Sequence, residues 1–385
     1  MSISTSNAAP VSGQASSAAA PEPEELVQLL TPEGERREHP DYPLDLSPEE
    51  IRGLYRDLVL VRRFDTEAVF LQRQGELGLW PSLLGQEAAQ VGSARALHGH
   101  DMVFPTYREH GVAMCRGVRP EQLLELFRGV SHGGWNPKEH GFHLYTIVIG
   151  SQTLHATGYA MGIQRDGRVG AEGEAALAYF GDGASSQGDV NEAFVWASVF
   201  HAPVVFFCQN NQWAISAPLA KQSPIPLYRR AAGFGFPGVR VDGNDVFACL
   251  AVTRQAMRAA REGQGPSLIE AFTYRMGAHT TNDDPTRYRL SGELEEWKLK
   301  DPIERLRAYI AREGLAGADF LSGVDAEAEE LGEQVRRACR ELPDPRPMEI
   351  FDHVYAEPNS QVDEERERFA AYLDSFEGAE HEGDR

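Results

Sequence analysis

The sequence predicts an α/β fold of three layers: a mostly parallel central sheet covered by helices, with helical extensions at the N- and C-terminal ends. Three observations carry this. The apolar run Ala176-Leu177-Ala178-Tyr179-Phe180 is followed by a helical pattern over about 189–200 and then by Val204-Val205-Phe206-Phe207-Cys208, the order of a βαβ unit. Both runs are apolar at nearly every position instead of alternating, as parallel strands covered on both faces require. Two further strand-like runs, at 238–241 and 267–273, extend the sheet.

Taken in chain order, residues 1–25 are rich in Ser, Ala, Gly, Pro and Gln with almost no large apolar side chain. Ordering them would cost more entropy than burial returns, so a disordered tail is expected. Residues 26–45 read as an extended N-terminal segment and 46–370 as one domain with helical extensions. The first helix is announced by Leu46-Ser47-Pro48-Glu49-Glu50-Ile51. Ser47 caps, Pro48 suits the first helical position, Glu50 closes a capping box, and Leu46 with Ile51 forms a hydrophobic staple. Ile51, Leu54, Tyr55, Leu58, Val59, Val61 and Phe64 then recur at helical spacing. Arg52, Arg56, Asp57, Arg62 and Arg63 read as the opposite face, turned to water or a partner. A helical stretch at 86–97 sits among Gly-rich loops and leads into the polar-aromatic loop Phe104-Pro105-Thr106-Tyr107-Arg108. Beyond the sheet, Asp301-Pro302-Ile303-Glu304 starts another capped helix, 325–341 is charged and helical, and 371–385 read as an acidic tail.

Composition narrows the function. Of 385 residues, 42% are hydrophobic and 25% charged, enough for a sizeable core. Asp and Glu outnumber Lys and Arg by 58 to 37, and the net charge of -21 argues against any broad electrostatic hold on nucleic acid or an anionic membrane. Cys115, Cys208, Cys249 and Cys339 are too far apart for a CxxC pair or a zinc ribbon and read as reduced thiols. No run approaches about 18 apolar residues, and the N-terminus lacks the basic and apolar regions of a signal peptide, so a cytoplasmic protein is expected. Glycine, at 37 residues, is concentrated between 75 and 190 and around 233–243, where backbone turns tightly or approaches a ligand.

The chemistry gathers after the paired strands. A parallel crossover places Asp182, in Gly181-Asp182-Gly183, and Asn211, in Asn210-Asn211, on one C-terminal sheet edge, where open α/β folds bind ligands. A carboxylate plus a neutral amide oxygen suits Mg²⁺ or Ca²⁺ better than zinc. One carboxylate leaves such an ion undercharged, and a phosphate corrects that. A lone Gly-Asp-Gly is an ordinary turn after a strand; its pairing with Asn210-Asn211 makes it a candidate cation and phosphate site.

The stretch 181–211 resembles the thiamine-diphosphate binding motif. The sequence over roughly 45–370 is similar to the α subunit of the two-chain 2-oxo acid dehydrogenases, in their decarboxylating component. Within that family, Asn211-Gln212-Trp213-Ala214-Ile215-Ser216 and Tyr274-Arg275-Met276-Gly277-Ala278-His279-Thr280-Thr281 look more like the branched-chain (2-oxoisovalerate) members than the pyruvate members. The resemblance implies a thiamine-diphosphate-binding fold in which Asp182, the Asn211 side chain and the Trp213 carbonyl hold Mg²⁺. It places Tyr107 and Arg108 on the diphosphate, where a planar donor fork is well suited. His279 and His143 match histidines near the cofactor, His279 within reach of the substrate, and Ile149 matches the residue contacting the aminopyrimidine. Phe64, Gln86 and Tyr107 are candidates for the substrate-pocket wall. Without the pattern, each histidine is an ordinary core or surface residue, the Tyr-Arg pair a surface accident, and Ile149 a plain strand residue.

Three departures from the family stand out. Gln209 occupies the place of an arginine that reaches the diphosphate, Ala278 replaces the first of two histidines, and Thr280 and Leu290 stand where animal members carry phosphorylated serines. The resemblance also implies an α₂β₂ heterotetramer whose β subunit supplies the glutamate beside the aminopyrimidine. It further implies acyl transfer to a lipoyl-bearing acyltransferase component, indirect coupling to a flavin dihydrolipoyl dehydrogenase, and a flexible gate over 279–288. A pyruvate or acetoin dehydrogenase α subunit and a non-catalytic scaffold subunit are the competing readings. Intact Asp182, Asn211, Arg108 and His279 weigh against the scaffold.

Overall fold

The computed structural model describes residues 26–380, with side chains to 376. The disordered tail expected at 1–25 lies outside the described residues, as do 381–385. In chain order the chain forms α1 Pro48–Arg73, α2 Glu87–Ala94, β1 Met102–Phe104, α3 His110–Cys115, α4 Pro120–Arg128, α5 Pro137–His140 and α6 Ser151–Arg165. There follow β2 Ala176–Gly181, α7 Gly188–Phe200, β3 Val204–Asn210, β4 Trp213–Ala214, β5 Ala217–Pro218, α8 Arg230–Gly233 and β6 Gly238–Asp242. The last are α9 Val246–Arg261, β7 Ser267–Phe272, α10 Ser291–Lys298, α11 Pro302–Arg312, α12 Ala318–Glu341 and α13 Ser360–Glu380. The expected βαβ unit and the two added strands are all present. The backbone of α13 continues as helix through 371–380, the stretch read as the start of an acidic tail.

Five strands form one parallel sheet in the order β1-β2-β3-β7-β6, and β4 pairs with β5 in a small antiparallel ribbon. The pleat sorts the strand residues by parity. Leu177, Tyr179, Val205, Phe207 and Ile269 join the core shared with α1, α2, α9, α11 and α12, while Ala176, Ala178, Phe180, Val204, Phe206 and Cys208 pack against α6 and α7. Both faces are covered, which explains why the strands are apolar throughout. The segment 26–45 is part of this body. Val27 bridges in parallel to Val241 at the β6 edge, and Leu29 and Leu30 donate their amides to Asp245, each at 2.6 Å.

The capping box at Ser47 and Glu50 forms as expected, with Glu50 N–H donating to Ser47 Oγ at 3.2 Å and Ser47 N–H to Glu50 Oε2 at 2.8 Å. The opposite α1 face, read as turned to water or a partner, is partly covered by other segments of the chain, with Arg56 left exposed. Asp57 is buried and accepts from Arg95 at 2.6 Å, Arg62 donates to Glu87 and Asp301 at 2.6 Å each, and Arg56 is paired with Glu327. Helices α11 and α12 return over α1 and supply part of this cover, which helical periodicity within α1 could not reveal. All four cysteines are free, and no helix among the described residues is long and apolar enough to cross a membrane.

Candidate active site

Strand register builds one wall of the site. Gly181 lies beside Gln209 across β2 and β3, so Asp182 and Asn211 emerge together at the C-terminal edge. A cavity of about 820 Å³ opens there, lined by Asp182, Asn211 and Trp213 on the sheet side and by Tyr107, Arg108 and His279 from loops. The two glycines of Gly181-Asp182-Gly183 do not serve a left-handed turn, since neither has positive φ. A Cβ at Gly183 would meet the Ala214 Cβ at 2.6 Å, whereas at Gly181 it would meet nothing within 4 Å. Close packing against the β4–β5 ribbon requires the first absence, and an open cavity wall accommodates the second.

Asp182 is 1% exposed, and burial pushes its carboxyl up to about 6 despite a 2.8 Å hydrogen bond from Gln222. A buried carboxylate with one amide donor is poised for a cation. Asn211 donates to Gln86 Oε1 at 3.1 Å and accepts from the Trp213 amide at 3.3 Å, while the Trp213 carbonyl accepts from Arg275 at 2.8 Å. Carboxylate, amide oxygen and backbone carbonyl thus belong to residues lining one cavity and are hard oxygen donors, each oxygen retaining lone-pair capacity. Gln86 also presents a buried Nε2 at the cavity wall with no hydrogen-bond partner among the described residues. Among the described residues no three His, Cys, Asp or Glu side chains gather as a metal cluster, so an ion here would need ligands from a bound anion. These residues fit Mg²⁺ and a diphosphate.

The facing wall is made of loops. Arg108 is buried and donates to the Ser82 carbonyl at 2.6 Å and the His279 carbonyl at 2.9 Å, with its guanidinium over the Tyr107 ring at 5.5 Å. Its NH2 also lies 3.3 Å from His279 Nδ1. Burial, then Arg108 and Arg275, depress the His279 pKa to about 4. The imidazole is therefore neutral near pH 7, and with Nδ1 accepting from Arg108, Nε2 carries the proton. The segment 279–288, which the resemblance reads as a gate that orders on cofactor binding, makes several hydrogen bonds. His279 N–H donates to Asp283 at 2.9 Å, Thr281 exchanges bonds of 3.0 and 2.9 Å with Trp80, and Tyr288 bonds both Asp283 and Arg275.

Ile149 lines the cavity from the turn before α6, not from a strand, and Gln86 is also part of the lining. His143 does not line it. The parallel bridge between Val103 and Phe142 pins residue 143 to the β1 edge, where its ring stacks on Phe104 at 5.2 Å. Phe64 is also absent from the lining. It is fully buried in the α1 core against Trp80, as helical spacing alone implies. Gln209 reaches the cavity as an amide, donating to Glu109 at 2.5 Å and accepting from Gln90 at 3.2 Å, which ties it into a buried polar network. Thr280 lines the cavity, while Leu290 is 74% exposed. Sequence reading missed Gln222, which donates to Asp182, and Glu109, neither of which shows a motif, and the apolar lining Leu79, Leu126, Phe127 and Ile147, which comes from three separate segments, the middle two residues from α4.

Residues 55–347 match the family model described as "Dehydrogenase E1 component". The chain belongs to that family. It is 46% identical over 350 residues to the 3-methyl-2-oxobutanoate dehydrogenase subunit alpha of Mycobacterium tuberculosis, covering 91% of this chain and 94% of the relative. Pyruvate dehydrogenase E1 component subunits alpha are more distant: 37% over 332 residues in Acholeplasma laidlawii (86% of this chain, 95% of the relative) and 34% over 343 in Bacillus subtilis (88% and 91%). Membership in the E1 family implies dependence on thiamine diphosphate and Mg²⁺, and partnership with a β subunit and a lipoyl-bearing acyltransferase component.

Proposed function

We propose that this chain is the α subunit of a branched-chain 2-oxo acid dehydrogenase, acting on acids of the 3-methyl-2-oxobutanoate type and passing the acyl group to a lipoyl arm. The observation that carries the substrate class is the identity of 46% to the mycobacterial 3-methyl-2-oxobutanoate dehydrogenase subunit, against 34–38% for the pyruvate relatives. Leu79, Leu126, Phe127 and Ile147 support it by giving the cavity an aliphatic and aromatic lining suited to a branched side chain.

In this reading Asp182, Asn211 and the Trp213 carbonyl hold Mg²⁺, and Arg108 with Tyr107 faces the diphosphate. Thiamine diphosphate, when bound, supplies the carbanion chemistry that lets a 2-oxo acid lose CO₂. His279, neutral and protonated on Nε2, offers a donor to the substrate carboxylate or carbonyl. Ile149 packs at the mouth beside exposed Ile147, Val148 and Ile215, an apolar rim that a β subunit would cover to exclude water. Coexpression with a β chain, followed by decarboxylation assays on 3-methyl-2-oxobutanoate, 4-methyl-2-oxopentanoate and pyruvate, tests the proposal. The two branched acids should be preferred. A preference for pyruvate would overturn the substrate assignment, and absence of Mg²⁺-dependent thiamine diphosphate binding would leave only the scaffold reading.

A further inference from the structure

One buried carboxylate outside the cavity organises its loop wall. Asp65, on α1, is 2% exposed and accepts three hydrogen bonds from a single loop: Trp80 Nε1 at 2.8 Å, Ser82 Oγ at 2.5 Å and Leu83 N–H at 3.0 Å. All three groups act as donors here, so the site is built for an acceptor, and among the described residues no cationic side chain is bonded to it. Burial pushes the Asp65 carboxyl up to about 6, an expense that three convergent donors only partly offset.

The loop so held is the common anchor of the residues facing the cavity. Ser82 presents its carbonyl to Arg108 at 2.6 Å, and Ser82 Oγ also accepts from Leu84 N–H at 3.2 Å. The Leu84 carbonyl accepts from Met276 N–H at 3.0 Å, and Trp80 exchanges two bonds with Thr281. Both sides of His279 are therefore tied to residues 80–84, and Arg108 joins the same loop to the His279 carbonyl at 2.9 Å. Asp65 does not line the cavity, so any influence on the ligand passes through this loop.

We propose that Asp65 is a positioning residue for cofactor binding, fixing the Trp80–Leu84 loop so that Arg108 and His279 stand in register with the Asp182 wall. The inference rests on the proposed function, because it takes Arg108 and His279 to face the diphosphate. Asp65→Asn keeps the shape but turns an amide N–H₂ toward groups that are themselves donors. Outer hydrogen-bond partners of a cofactor or metal site typically change affinity roughly 10- to 100-fold.

The test uses the coexpressed α/β assembly and titrates thiamine diphosphate with Mg²⁺ by calorimetry, alongside thermal melting and kcat at saturating cofactor. Asp65→Asn should weaken binding by roughly 10- to 100-fold, with kcat at saturation falling less than affinity, and Ser82→Ala should shift affinity in the same direction by less. A merely structural role would lower Tm and leave the Kd of the folded assembly unchanged, and that result overturns the inference. Should Asp65→Asn fail to assemble, Ser82→Ala decides: an unaltered Kd there overturns it equally. If the wild-type assembly itself does not bind the cofactor, the proposed function falls and this inference with it. Binding by wild type that neither variant changes removes this inference alone.

Discussion

The two walls of the cavity are built by different physics. The Asp182–Asn211 wall stands on β2 and β3, where six register pairs of a parallel ladder fix both strand ends before any side chain contributes. The Arg108–His279 wall consists of loops whose places are set by individual hydrogen bonds to residues 80–84 and to Asp283. Sheet geometry frees the side chains of the first wall to carry ligand chemistry. In the second wall the same groups that face the cavity also hold the backbone in place, so position and chemistry are coupled.

The largest expected effect lies in the loop wall. Gly85 has φ +93°, and a Cβ there would sit 2.4 Å from the Tyr274 carbonyl oxygen. Gly85→Ala should cost about 3–5 kcal/mol, read as a fall in Tm or in the urea midpoint. A loss within 1 kcal/mol, by the same measurement, would mean the loops tolerate displacement and would erase the contrast.

The sheet wall should respond in the opposite sense. Asp182→Asn removes a buried charge that the ligand-free chain leaves poorly compensated, so Tm of the free chain should be unchanged or higher. Retention of Mg²⁺ and thiamine diphosphate by the α/β assembly should nevertheless drop roughly 100-fold, equivalent to about 2.7 kcal/mol. Calorimetry and melting on one preparation separate the two quantities, and a variant that melts early would assign Asp182 a scaffolding role.

A smaller effect comes from beneath the loop wall. His110 is fully buried, stacked on Trp80 at 4.1 Å, with Nε2–H donating to the Pro81 carbonyl at 3.1 Å and Nδ1 accepting from Tyr145 at 2.6 Å. Burial, opposed by the Pro81 bond and aided by Arg108, lowers its pKa to about 3. The unfolded chain then takes up a proton below about pH 6.5 that the folded chain refuses. Stability from this group is therefore complete above pH 6.5 and declines as pH falls toward 3, by up to about 1.4 kcal/mol per pH unit. Asp65, with its pKa raised, contributes the reverse slope between about 4 and 6. His110→Phe, though less stable overall, should lose Tm more slowly than wild type between pH 6.5 and 4. Parallel slopes would locate the acid sensitivity elsewhere.

Legibility in the sequence followed the same division. Residues 176–211 could be read because a strand, a helix and a strand each have their own period, and because a parallel crossover dictates which ends meet. Tyr107, Arg108 and His279 could be named only through family resemblance, since nothing local to 104–108 or 274–284 says that the two segments touch. His143 shows the limit of that route. Its motif matches, yet the Val103–Phe142 bridge draws it onto Phe104 and away from the cavity. Phe64 erred the other way, because its helical spacing already placed it in the core.

By itself the sequence determined four of the five parallel strands, the capped start of α1 and the placing of Asp182 and Asn211 on one sheet edge, because these depend on periodicity, capping chemistry and chain direction, all local or nearly so; β1, three residues long, and the strand order were not legible. Only the tertiary structure decided the loop wall, the pairing of buried Asp57 with Arg95, and the convergence of Leu79, Leu126, Phe127 and Ile147. Those arrangements join residues through single contacts between distant segments, and no pattern along the chain encodes a contact whose partner lies 271 residues away, as Glu327 does from Arg56.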